Sequence, residues 1–137
     1  MKAGLHIGLL VNPLAGLGGG LAMKGSDGEH MRALAGQMLP QQGSRSEARA
    51  VRALGPLAGC SASVHFTCWA RSMGEDALRQ VGLRATVLGS AGTGLTSAGD
   101  TRTAASEFLR VGVDIILFAG GDGTARDVLD VVGQRCP

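Results

Sequence analysis

Apolar residues in this chain fall into short continuous runs, separated by stretches in which they recur every three or four positions. The runs read as strands buried on both faces, and the spaced stretches read as helices with one apolar side. Leu5 to Val11 is the first strand, ended by Asn12-Pro13 because proline donates no ladder hydrogen bond. A glycine-rich loop follows over residues 12–28. Glu29 to Leu39 is a helix that Pro40 terminates, and Ser44 with Glu47 forms a capping-box pattern that opens a helix to about Ala58. Ser63 to Cys68 is a strand, Glu75 to Val81 a short helix, and Arg84 to Leu88 a third strand. Residues 89–96 read as a plain connector. Ser97 and Asp100 cap a helix running to Val111, to which Phe108, Leu109 and Val111 contribute apolar surface. Val113 to Ala119 is the fourth strand, and Ala125 to Val132 after it reads as a helix with apolar residues on one face. Strands alternating with helices predict an α/β fold, a parallel sheet of about four strands joined by right-handed crossovers. Loops leaving the strands' carboxyl ends then share one edge of the sheet, where open parallel sheets bind ligands.

The chemistry concentrates in Gly120-Gly121-Asp122-Gly123-Thr124, which joins the fourth strand to the last helix. Glycines let the backbone turn sharply and let a ligand approach it closely. A helix N-terminus beyond them favours phosphate through its unpaired N–H groups and its dipole. Asp122 would repel that phosphate, so its presence points to chemistry, either a proton acceptor or a ligand to a magnesium ion that the phosphates share. The structural alternative is an aspartate that only caps the helix. Gly120, Gly121, Gly123 and Thr124 are expected to line the phosphates, with the Thr124 hydroxyl as donor or helix cap. Arg126 and Asp127 are placed in the first helical turn, Arg126 either reaching phosphate or solvated and Asp127 complementing the dipole. The first glycine loop completes neither familiar phosphate fingerprint. From Gly18 the P-loop spacing puts Met23 where glycine is required, and Lys24 is followed by Gly25. After Gly16 and Gly18 the third glycine position of a dinucleotide fingerprint is Leu21. The loop can still offer backbone N–H groups, with Lys24 as a mobile cation.

Composition narrows the partners. The 137 residues suit one domain, and a formal charge of +2 is too small to indicate a polyanion. With no Tyr, one Trp and three Phe, base stacking on single-stranded nucleic acid is disfavoured. Cys60, Cys68 and Cys136 form no framework and read as reduced thiols. Cys60, His65 and Cys68 match no zinc spacing, a strand would send His65 and Cys68 to opposite faces, and His6 and His30 lack a partner at ligand spacing. Neither a signal peptide nor a transmembrane stretch is visible. A cytoplasmic protein without nucleic-acid or membrane partners is expected.

The Gly-Gly-Asp-Gly-Thr turn after a buried strand resembles the signature of NAD kinases and of the related diacylglycerol and sphingosine kinases. Leu9 to Gly19, followed by Lys24-Gly25-Ser26-Asp27-Gly28, is similar to the opening of the ATP-NAD kinase-like proteins, a branch that includes the acetoin-catabolism X proteins. Met73-Gly74-Glu75-Asp76 and Asp100-Thr101-Arg102 fall where that branch has similar residues. The resemblance implies a three-layer Rossmann-like domain with strands one and four side by side. It implies phosphoryl transfer from ATP or polyphosphate to NAD with Mg2+, Asp122 as the catalytic base, and Asn12, Gly16, Gly18, Gly19, Lys24 and the glycine turn as nucleotide-binding residues. Proteins of this family continue into a β-rich domain with an Asn-Glu motif, so residues 1–137 correspond to the amino-terminal domain. They are expected to be catalytically silent alone, to self-associate or to need a complementary domain. A lipid or sphingoid-base kinase domain and a non-catalytic nucleotide-binding module are the alternatives.

Overall fold

The computed structural model describes residues 4–15, 44–60, 62–92 and 95–137. Within them, four parallel strands form one sheet: β1 (Leu5–Val11), β2 (Val64–Trp69), β3 (Ala85–Gly89) and β4 (Ile115–Ala119), in the order β3-β2-β1-β4. The helices are α1 (Arg45–Leu54), α2 (Glu75–Val81), α3 (Ala98–Val111) and α4 (Asp122–Val132), with short 3-10 turns at Gly55–Cys60 and Arg71–Met73. The predicted helix over residues 29–39 lies outside the described residues.

Three layers follow from the alternation of side chains along the strands. Ile7, Leu9 and Val11 of β1 and Phe66 and Cys68 of β2 face Ala50 and Leu54 of α1 and Ala77 and Leu78 of α2. Leu10, Trp69 and Ile116 face Ala104, Ala105 and Phe108 of α3 and Val128 and Val132 of α4. β1 lies at the centre and is covered on both sides, which is why five consecutive residues, Ile7 to Val11, are buried. Glycines bring the α3 layer close. A Cβ on Gly8 would stand 2.7 Å from the Phe108 ring, so this strand position accommodates the helix only as glycine.

Element boundaries differ from the sequence pattern in instructive places. α1 stops at Leu54, short of Ala58, because Pro56 removes a donor and its ring clashes with the preceding turn; the chain continues as a 3-10 segment. Ser44 accepts from the Glu47 N–H at 3.1 Å, while the Glu47 carboxylate takes Gln80 Nε2 from α2. β2 and β3 each run one residue further than expected, with a register shift at Cys68/Trp69 that lets the Trp69 ring cover Gly89. At α3 the full capping box forms, with Ser97 and Asp100 each satisfying the other's backbone N–H.

Candidate phosphate site at the carboxyl edge of the sheet

From β1 the chain builds outward through β2 to β3 on one side, then crosses to β4 on the other. The strand order reverses between β1 and β4, the switch point at which open parallel sheets form a ligand crevice. Asn12 and Gly120 stand at its two sides.

Asn12 fastens the sides together. Its backbone N–H donates to the Ala119 carbonyl at 2.9 Å, and its side-chain Nδ2 donates to Thr124 Oγ1 at 2.9 Å. Its Oδ1 accepts from the Leu14 N–H at 3.0 Å and its carbonyl from the Ala15 N–H at 3.2 Å, which bends the chain immediately after β1. All of these groups work within the protein. Asn12 therefore shapes the crevice, a duty distinct from the nucleotide contact that the family resemblance implies for it.

The turn after β4 divides its work among its residues. α4 begins at Asp122, three residues before the expected start, and Gly121 is its N-cap, without a side-chain cap. Asp122 thus occupies the first helical position and does not cap the helix. Its carboxylate is exposed and makes no hydrogen bond or ion pair among the described residues. The first intrahelical bond runs from the Ala125 N–H to the Gly121 carbonyl at 3.0 Å, so the N–H groups of residues 122–124 precede the ladder. Gly121, Asp122 and Gly123 are exposed, whereas Thr124 is only 3% exposed and holds Asn12. The Thr124 hydroxyl is therefore neither a cap nor a free donor on the surface. Gly120 is required by packing, since a Cβ there would lie 2.6 Å from Thr124 Cβ. Gly121 and Gly123 face open space, with nothing within 4 Å of a Cβ at either position. The arrangement can present backbone donors and one carboxylate to the same ligand.

Asp127 is not a first-turn residue. It lies one turn further along α4 and accepts from Arg102 Nε and Nη2 of α3 at 3.2 Å, with Asp130 accepting from Arg102 Nη2 at 3.1 Å. Arg126 is exposed. Gly16, Gly18, Gly19 and Lys24 lie outside the described residues.

The two further motifs prove architectural. Asp100 belongs to the capping box, Thr101 is buried and Arg102 clasps α4. Met73 is buried in the α3 layer, and a Cβ on Gly74 would lie 2.9 Å from the Leu9 carbonyl oxygen, so β1 and this turn meet as bare backbone. Glu75 Oε1 accepts from the Arg71 N–H at 2.8 Å, holding Arg71 at φ 57° in the left-handed region. Nothing in the sequence marks an arginine for that conformation.

His65 and Cys68 do point to opposite faces. Cys68 joins the α1–α2 core, where burial first and the Glu75 carboxylate second push its thiol up to about 12. His65 instead meets His6 across the β1–β2 pair, ring centroids 4.8 Å apart, and His6 Nε2 shares a hydrogen with Thr67 Oγ1. No group of three or more His, Cys, Asp or Glu that could hold a metal occurs among the described residues. No helix there is long and apolar enough to cross a membrane.

A family model described as the ATP-NAD kinase N-terminal domain matches residues 7–137. No curated protein and no solved structure matches the chain.

Proposed function

Because the chain belongs to the ATP-NAD kinase family, matching its N-terminal domain, we propose that the β4–α4 turn holds the phosphates of an adenine nucleotide and that Asp122 serves phosphoryl transfer from ATP or polyphosphate to NAD. The observation that carries this reading is the exposed, unengaged Asp122 carboxylate beside the free N–H groups that open α4. Backbone donors at a helix N-terminus suit phosphate oxygens, and a carboxylate among them is unfavourable for binding alone. The expense is rational if Asp122 takes the proton of an acceptor hydroxyl.

In this reading the ribose 2′-hydroxyl of NAD gives its proton to Asp122 as its oxygen bonds to the γ-phosphorus. The β–γ bridging bond breaks and ADP leaves, or a shortened chain where polyphosphate is the donor. Positioning and charge neutralisation supply most of the acceleration in such transfers. Asn12 and Thr124 keep the two sides of the crevice in register, while Gly121 and Gly123 leave the approach to the backbone open. Magnesium is compatible with this donor set, because it binds through one or two carboxylates plus substrate phosphates and needs no preformed protein cage. Asp122 is the residue that would hold it, and when bound it neutralises phosphate charge.

Asp122→Asn tests the assignment. In protein forming NADP through this site, the variant keeps its fold and nucleotide affinity but loses about 10²–10⁴ in rate, the usual scale for removal of a general base. Parental turnover with unchanged magnesium dependence would make Asp122 structural.

A further inference from the structure

α1 carries Arg45, Arg49 and Arg52, whose spacing sets them on one face of the helix. All three are exposed, and their side chains make no ion pair or hydrogen bond among the described residues. Beside this stripe, a groove of about 270 Å³ is lined by Arg49, Ala53 and Leu54 of α1 and by Leu117 and Phe118 of β4. We propose that the stripe and the groove together bind an acidic amphipathic segment of another protein, its apolar side chains in the groove and its carboxylates on the arginines. This surface stands independently of the phosphate reading.

Charge argues for an anionic partner. Arg79 of α2 and Arg102 and Arg110 of α3 each hold a carboxylate of this chain. α1 offers none to its own arginines, because its one acid, Glu47, takes Gln80 Nε2 of α2 instead. Like charges four residues apart on a helix repel, and Arg45 also stands in the first turn, where the dipole disfavours a cation. Only Arg52, in the last turn, suits the dipole. Carboxylates from outside the chain relieve both strains.

Shape then selects among anions. Phe118 is 41% exposed and Ala53 is exposed, so apolar surface stays open to solvent beside the cations. A phosphate chain has no apolar part to place there. Nucleic acid is disfavoured by the small net charge of +2, and a bilayer surface is met by a projecting apolar face and not by a groove. An amphipathic helix lays apolar side chains into a groove of this kind. An apolar centre with a polar rim is the usual anatomy of a protein interface.

Calorimetry and backbone amide shifts of the full chain test the surface with a synthetic amphipathic peptide, leucine at every third or fourth position and glutamate between. Saturable shifts are expected at Arg49 to Leu54 and at Leu117 to Gly120, with an affinity that falls as salt rises. Glutamine in place of the peptide's glutamates is expected to weaken binding about tenfold or more, and so is the pair Arg45→Glu and Arg49→Glu in the chain. Arg84→Glu, a reversal at an exposed site before β3, should affect it far less. The glutamine peptide needs no variant of the chain, so its readout survives any folding defect. Equal binding of the two peptides, or indifference to the α1 reversals, would overturn the proposal. No shifts at millimolar peptide would overturn it as well. Tripolyphosphate or a duplex oligonucleotide matching the peptide at the same amides would also overturn it, in favour of a plain polyanion surface. ATP shifts at Gly121 to Ala125 that persist through any of these outcomes leave the phosphate reading standing.

Discussion

Gly120 and Gly121 are neighbours in one motif, yet different forces require them. Gly120 packs against the buried Thr124, and alanine there would drive its Cβ into that side chain. Gly120→Ala is expected to cost about 1–3 kcal/mol, the usual range for overpacking, in urea unfolding. Gly121 faces open space, so Gly121→Val keeps most of the stability while its side chain obstructs the approach to the helix N-terminus. Its effect should appear in phosphate affinity. Equal stability losses in the two variants would contradict this division. The motif itself was legible from residue types and spacing; the division was not, because it depends on where Thr124 packs. Asn12 became a residue of interest only through the resemblance to a family, and its fastening duty is revealed only by the pairing of β1 with β4.

Cys68 makes a prediction at the same scale. Its ordinary thiol value near 9.0 is pushed up to about 12 by burial and then by Glu75, so the native state keeps a proton that the unfolded chain releases. The stability attached to that proton is complete below about pH 9 and falls as the pH rises from there towards 12. Unfolding followed between pH 8 and pH 11, about the range in which a free thiol ionises, should show a decline that Cys68→Ala reduces. At neutral pH, iodoacetamide should label the exposed Cys60 in the native chain and spare Cys68. Equal labelling of the two would show that the α1–α2 layer opens readily.

At the scale of elements, the α3–α4 layer positions the turn, and its supports differ in strength. Ser97 begins α3 with a complete capping box, whereas Arg102, itself half exposed, links α3 to the exposed Asp130 and the more covered Asp127. Caps of this kind contribute about 1 kcal/mol and exposed ion pairs about 0.2–1 kcal/mol. Ser97→Ala should therefore lower the unfolding midpoint more than Arg102→Ala, and the opposite order would mean that the clasp dominates. The cap was legible, since its signal lies in residues three apart. The clasp was not: residues 102 and 127 meet only after two helices have packed on the same face, and Asp127 taken alone reads as a dipole partner. Helix ends followed local signals where proline or a capping residue was present. The start of α4 escaped that reading because a glycine N-cap carries no side-chain signature.

For the whole molecule, alternating strands and helices specify a parallel sheet but not its order. The order β3-β2-β1-β4 is what brings the Asn12 loop against the β4–α4 turn, and periodicity carries no information on it. The adjacency of β1 and β4 was accessible only through resemblance to a family, to which the match over residues 7–137 shows the chain belongs. Pairing continues past the named strands, with the Ile116 N–H donating to the Pro137 carbonyl at 2.9 Å along the side of β4 turned away from β1. The central claim is that this topology makes one phosphate site from two loops distant in sequence. Backbone amide shifts of the full chain during titration with ATP test it most directly. The account predicts saturable shifts at Gly121 to Ala125 together with Asn12 and Leu14, which are coupled through the Asn12–Thr124 bond. Shifts confined to other surfaces, or none at millimolar ATP, would contradict it.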